Sequence, residues 1–178
     1  MAVEVLQLLI QGVSVSSHTN YQRNLEIKSG LREALSHTYV TGKLQYSVTL
    51  AGHFGSYEAA RDKLKHWYAV LDRRRLGKHW CKQPKSIRTQ FVGVAEREGG
   101  WHFHLNVIVP ETRWVYDIAA EIHKAWLTAN RGNRCATCVC DPVTSQAEHE
   151  RTANYMTKRC WQEKIYDGVI FSDDFLHS

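Results

Sequence analysis

Long apolar runs are missing from this sequence of 178 residues. None approaches the roughly 20 residues that cross a bilayer. The opening MAVEVLQLLIQGVSVSS holds a short apolar patch without the basic flank of a signal peptide. Neither membrane insertion nor secretion is expected. Proline is scarce, at three residues, and no low-complexity tract, internal repeat or linker interrupts the chain. One domain is the simplest organisation. The five cysteines are an odd number, which argues against a disulfide framework and for a reducing, cytoplasmic setting. No GxxxxGK[ST] occurs, so no nucleotide cofactor is expected.

Acidic residues are also in deficit, 18 against 23 Lys and Arg, for a net charge of +5 and a pI near 9.0. The excess gathers in RDKLKHWYAVLDRRRLGKHWCKQPKSIR, residues 61–88, where Trp67, Tyr68 and Trp80 interleave with the cations. Such a stretch suits phosphate contacts combined with base stacking, and equally a solvated helix face. Arg73, Arg74, Arg75, Lys85 and Arg88 are the candidate contacts.

Residues 1–42 read as an extension packed on or preceding the core, with a weak helical pattern over 21–35 interrupted by Gly30. From residue 43 the pattern sharpens. KLQYSVTLAG predicts a strand, and Tyr57, Ala60, Leu64, Trp67 and Leu71 predict a helix behind a Ser56 cap. QFVGVAEREGGWHFHLNVIVP predicts a hairpin. A second amphipathic helix is expected from Val115 to Trp126, a short strand in CATCVCDPV, and a third helix over 145–161 behind Ser145. This order implies an α+β domain with a central, mainly antiparallel sheet flanked by helices.

WHFHLNVIV places two imidazoles at alternate positions of an apolar strand. His102 and His104 then share one face while Phe103 and Leu105 take the other. A three-residue loop of Glu98, Gly99 and Gly100 would set Glu96 opposite His102 on that face; a two-residue Gly-Gly loop would turn it away. Glu98 is the alternative carboxylate. Two histidines and a carboxylate with open positions suit Mg²⁺ or Mn²⁺ acting on phosphate oxygens. In ANYMTKRC, Tyr155 and Lys158 fall on neighbouring points of a helix. A tyrosine becomes an effective nucleophile towards a phosphate only if that phosphate is polarised and held in line.

Together, YSVTLAG, HFHLNVIV and YMTK resemble the three motifs of the HUH endonucleases, in the order found in rolling-circle replication initiators of plasmids and phages. The resemblance covers about residues 44–162 and assigns 43–178 to the nuclease domain, with an RRM- or ferredoxin-like fold. It implies nicking and joining of single-stranded or origin-hairpin DNA through a covalent 5′-phosphotyrosine, in a bacterial or archaeal host, with helicase and polymerase supplied in trans. Carried over to this chain, Tyr155 is the nucleophile, Lys158 its helper, and His102, His104 and Glu96 hold the metal. Arg159 and Trp101 join the DNA contacts, although Trp101 at the turn would also suit core packing. Arg151 and Arg159 stand four residues from Tyr155, so the two-tyrosine version of the mechanism is absent, and Glu148 is the candidate base for a water. A tyrosine transposase of the same superfamily and a non-catalytic nucleic-acid-binding module are the alternatives. CxxCxC at Cys135, Cys138 and Cys140 raises a zinc site, but free thiols are the expected state.

Overall fold

Alternating apolar residues make Leu44–Gly52 the first strand, β1: Tyr46, Val48 and Leu50 are buried on one face. The remainder was followed in a computed structural model that describes residues 25, 26, 28–30, 32, 33, 35, 44–97, 99–110, 117–158 and 169–175. Helix α1, Tyr57–Leu76, begins where Ser56 Oγ accepts from the Ala59 N–H. It buries Ala60, Leu64, Trp67, Tyr68 and Leu71 at three- and four-residue spacing. The hairpin strands are β2, Gln90–Arg97, and β3, Trp101–Val109. Helix α2, Ile118–Ala129, is capped by Asp117, whose carboxylate accepts from the Ala120 N–H. Strand β4, Thr137–Pro142, leads to helix α3, Gln146–Thr157, capped by Ser145. Strand β5, Val169–Phe171, completes the set.

The sheet is antiparallel throughout, in the order β4-β1-β3-β2-β5. One face carries Tyr46, Val48 and Leu50 of β1, Phe91 of β2, and Phe103, Leu105, Val107 and Val109 of β3. Helices α1 and α2 cover it with Trp67, Tyr68, Ile122 and Trp126, and this is the main core. Trp67 Nε1–H donates to the Ile122 carbonyl and Trp126 Nε1–H to the Ala51 carbonyl, so both indoles are buried with their polar atom satisfied. Gly93 leaves no room for a side chain against β3: a Cβ there would lie 2.5 Å from the His104 carbonyl oxygen. The opposite face holds the imidazoles, with α3 packed against β3.

The expected α+β architecture and antiparallel sheet are present. Strand β5 was not read from the sequence. Among the described residues, 25, 26, 28–30, 32, 33 and 35 are helical, Gly30 included. Leu35 is buried, and its carbonyl accepts from His149 of α3. Val115, Trp114, Trp161, Cys160, Arg159 and Glu98 lie outside the described residues. Among those described, no helix is long and apolar enough to cross a membrane.

His149 is buried, and loss of solvent holds its imidazole below the ordinary 6.5, against the opposing pull of the Leu35 carbonyl. Burial likewise lowers His104. The unfolded chain therefore binds protons near pH 6.5 that the folded chain refuses. Stability is full above that pH and is lost as pH falls towards the lower folded values. The thermal midpoint is expected to drop steadily between pH 7.5 and 5.5, and His149→Gln should flatten the slope. A midpoint insensitive to pH over that window would contradict the assignment.

Candidate active site

The turn decides what faces what. Gly99 and Gly100 adopt φ of 69° and 138°, values that side chains disfavour. They close a three-residue loop between Arg97 and Trp101, and the ladder that follows pairs Glu96 with His102 and Val94 with His104. Glu96 thus stands beside both imidazoles, as the longer loop requires. One ligand atom from each of Glu96, His102 and His104 lies within 4.8 Å of the others. His104 Nε2 is 2.9 Å and His102 Nε2 3.7 Å from the same Glu96 oxygen, Oε2. Among the described residues this is the only such group of three or more His, Cys, Asp or Glu.

The environment favours ligation. His104 is nearly enclosed, and desolvation lowers its affinity for a proton, opposed by the Glu96 carboxylate and reinforced by the charges of His102 and Lys158. A neutral imidazole keeps a lone pair for a cation. Nδ1 of His104 lies 3.1 Å from Thr49 Oγ1 on the adjacent strand. The Glu96 carboxylate can only accept, so His104 Nε2–H donates to it at 2.9 Å and Nδ1 accepts from the Thr49 hydroxyl. A cation held by Nε2 would displace that proton, and Nδ1–H would then donate to Thr49. Thr49 is a residue that reading single segments missed. Its signal was the β1–β3 pairing, which sets Thr49 directly across from His104.

Helix α3 brings the tyrosine. Its ring centroid stands 5.0 Å from that of His104 at 83°, and the side chain is half exposed. Lys158, at the C-cap, lies with Nζ 3.7 Å from the Tyr155 ring centroid. An imidazole pair, a carboxylate, a phenol and an ammonium therefore meet on one face of the sheet. Two imidazole nitrogens and one carboxylate oxygen form a donor set that can hold a divalent cation.

Other expected residues lie elsewhere. Trp101 is on the core face, packed on Tyr57 at 5.2 Å with Arg97 over its ring at 5.8 Å, so it does not stack beside the histidines. Trp67 and Tyr68 are fully buried, and Trp80 packs edge-on against Tyr68; the aromatics of the basic stretch build the core. The cations divide by role. Arg75 is buried, bonded to Asp72, Thr89 and the Pro110 carbonyl. Arg88 donates to the carbonyls of Cys81 and Gln83. Arg74 pairs with Glu121 and Lys85 with Asp173, both with solvent-facing side chains. Arg73 is exposed. Arg75 touches the Pro110 end of β3, eight residues from His102, or about 25 Å along a strand. Arg75 is thus far from the histidine end of β3.

Glu148 is engaged in a cap: one carboxylate oxygen accepts from both the N–H and the hydroxyl of Thr144 at 2.7 Å, and these bonds hold its pKa down. That anchoring makes it a poor base for a water. Cys135 and Cys81 are exposed, while Cys138 and Cys140 are half-buried towards the core, where burial pushes their thiols up to about 12. These are free thiols, and they converge on no metal-type cluster among the described residues. No protein-family model matches the chain, and neither a curated protein nor a solved structure matches it.

Proposed function

We propose that this chain nicks and rejoins single-stranded DNA through Tyr155, in the manner of rolling-circle replication initiators. The observation that carries the reading is the 5.0 Å approach of the Tyr155 ring to His104, within the cluster that includes His102 and Glu96. A lone His pair or a lone Tyr-x-x-Lys would carry little; their convergence from separate elements is what supports phosphoryl transfer.

Glu96, His102 and His104 would hold Mg²⁺ or Mn²⁺, which supplies Lewis-acid polarisation of a nonbridging phosphate oxygen. Tyr155 Oη attacks the phosphorus, the Oη–P bond forms and the P–O3′ bond breaks. The phenolic proton leaves and the departing 3′ oxygen takes one up, so the products are a 5′-phosphotyrosine and a free 3′-OH. One phosphodiester replaces another, and the reverse attack by a 3′-OH rejoins strands without ATP. Lys158 sets an ammonium beside the phenol, where it meets the negative charge of the phosphate. Thr49 orients the His104 ring.

The test is incubation of single-stranded and hairpin DNA pools with the protein and Mn²⁺. A covalent product that survives denaturation, needs the metal and maps to Tyr155 by mass spectrometry is the expected result. DNA binding without any adduct, across metals and sequences, would reduce the chain to a nucleic-acid-binding module.

A further inference from the structure

Next to Tyr155 the sheet face opens into a groove of about 450 Å³ between β4 and α3, whose lining includes two carboxylates, Asp141 and the Thr144-bound Glu148, together with Ser47, Pro142, Arg151 and Tyr155. Strand pairing fixes its place. The row His104, Thr49, Val139 crosses three strands, and the next row on the same face is Asn106, Ser47, Asp141. Along a strand these rows are about 7 Å apart. Tyr155 touches both, through its ring contact with His104 and as a wall of the groove. Whatever is bonded to a phosphate at the histidines has this groove as its neighbour.

The lining selects what enters. The carboxylate of Asp141 and the hydroxyl of Ser47 make no hydrogen bond or ion pair with any described residue. An unpaired carboxylate repels a phosphate and accepts from N–H groups, so it addresses a base and not the backbone. At the rim, Arg151 pairs with Glu148 at 3.8 Å, and with its side chain 77% exposed the guanidinium keeps further N–H groups towards solvent, where a phosphate can meet them. Pro142 adds an apolar wall.

We propose that this groove seats the base adjoining the scissile phosphate and that Asp141 selects guanine there; the inference rests on the nicking reading above. Guanine alone offers two neighbouring N–H donors, N1–H and the N2 amino group, on the Watson–Crick edge that a single strand exposes. A carboxylate takes both side by side. Adenine and cytosine set a ring-nitrogen acceptor beside their amino group, and thymine flanks its one N–H with two carbonyls, so each brings a repelling lone pair to Asp141. A bidentate pair of this kind discriminates by about ten- to a hundredfold.

The experiment sequences the DNA ends linked to protein after incubation of a randomised single-stranded pool with Mn²⁺. Guanine is expected to exceed thymine at least tenfold at one of the two nucleotides flanking the linked phosphate, with the ratio collapsing in Asp141→Asn. Adducts without base preference there, or with a preference unchanged in Asp141→Asn, overturn the groove assignment and leave nicking intact. If no adduct forms, equilibrium binding of pentanucleotides decides. Guanine binding more tightly than inosine (which lacks the N2 amino group), with the difference lost in Asp141→Asn, upholds the groove although the nicking reading fails. Equal affinities overturn it. Circular dichroism melts of Asp141→Asn and Asp141→Ala confirm that the exposed end of β4 tolerates the change.

Discussion

Tyr155→Phe is expected to abolish the covalent protein–DNA product, with a fall of at least about 10⁴-fold in adduct formation, as loss of a nucleophile produces elsewhere. The substitution removes one oxygen and keeps the ring that meets His104 edge-on at 83°, so the packing of α3 on the sheet persists. Because the phenol belongs to none of the three clustered ligand residues, Mn²⁺ affinity should change by less than about twofold. Glu96→Gln and His104→Ala should behave in the opposite way. Each removes a donor, which weakens Mn²⁺ binding about 10–100-fold or more, and excess metal should restore part of the adduct yield. The two outcomes separate nucleophile from ligand in one calorimetric and one gel measurement. An adduct that persists in Tyr155→Phe would move the nucleophile elsewhere and remove the basis of the proposed function.

The half of the site on the hairpin was legible in the sequence because its period is local. Alternation in WHFHLNVIV decides which face each residue takes, so His102 and His104 pair from the sequence. EGG allows a two- or a three-residue loop, and it is the ladder setting Glu96 opposite His102 that brings the carboxylate to them. The approach of Tyr155 to His104 depends on how α3 crosses the sheet, which no local pattern encodes. The basic stretch misled for a related reason. Consecutive helix residues point about 100° apart, so the three arginines of α1 serve three purposes: Arg73 faces solvent, Arg74 reaches Glu121 of α2, and Arg75 turns inward to Asp72. Composition counts them alike. Strand β5, three residues long, is too short to display alternation. Glu148 was a capping residue whose partner, Thr144, lay four residues back in plain view.

The inward arginine carries the second large effect. Arg75→Ala is expected to cost about 3–5 kcal/mol of folding stability, the usual consequence of stripping the partner from a buried charge. Asp72 is wholly buried and accepts from the Thr89 N–H, the Thr89 hydroxyl and Arg75 Nη1. Burial raises its pKa while Thr89 and Arg75 oppose the rise. Removing Arg75 deletes one of those opposing forces and drives the carboxyl further towards its neutral form. The thermal midpoint should fall by about 6–20 °C for a chain of this size. A folded carboxyl titrating above its unfolded value of 3.8 binds a proton that the unfolded chain has lost, so the mutant should regain stability as pH drops from 7 towards 5. That sign is opposite to the trend set by His149 and His104 in the parent chain, and the difference between the two pH series isolates Asp72. A cavity alone would lower the midpoint equally at every pH. Arg73→Ala, on the exposed side of the same helix, should stay within about 0.5 kcal/mol. If Arg75→Ala melts like the parent and only DNA affinity suffers, the arginine is a nucleic-acid contact and the buried pair has been misread.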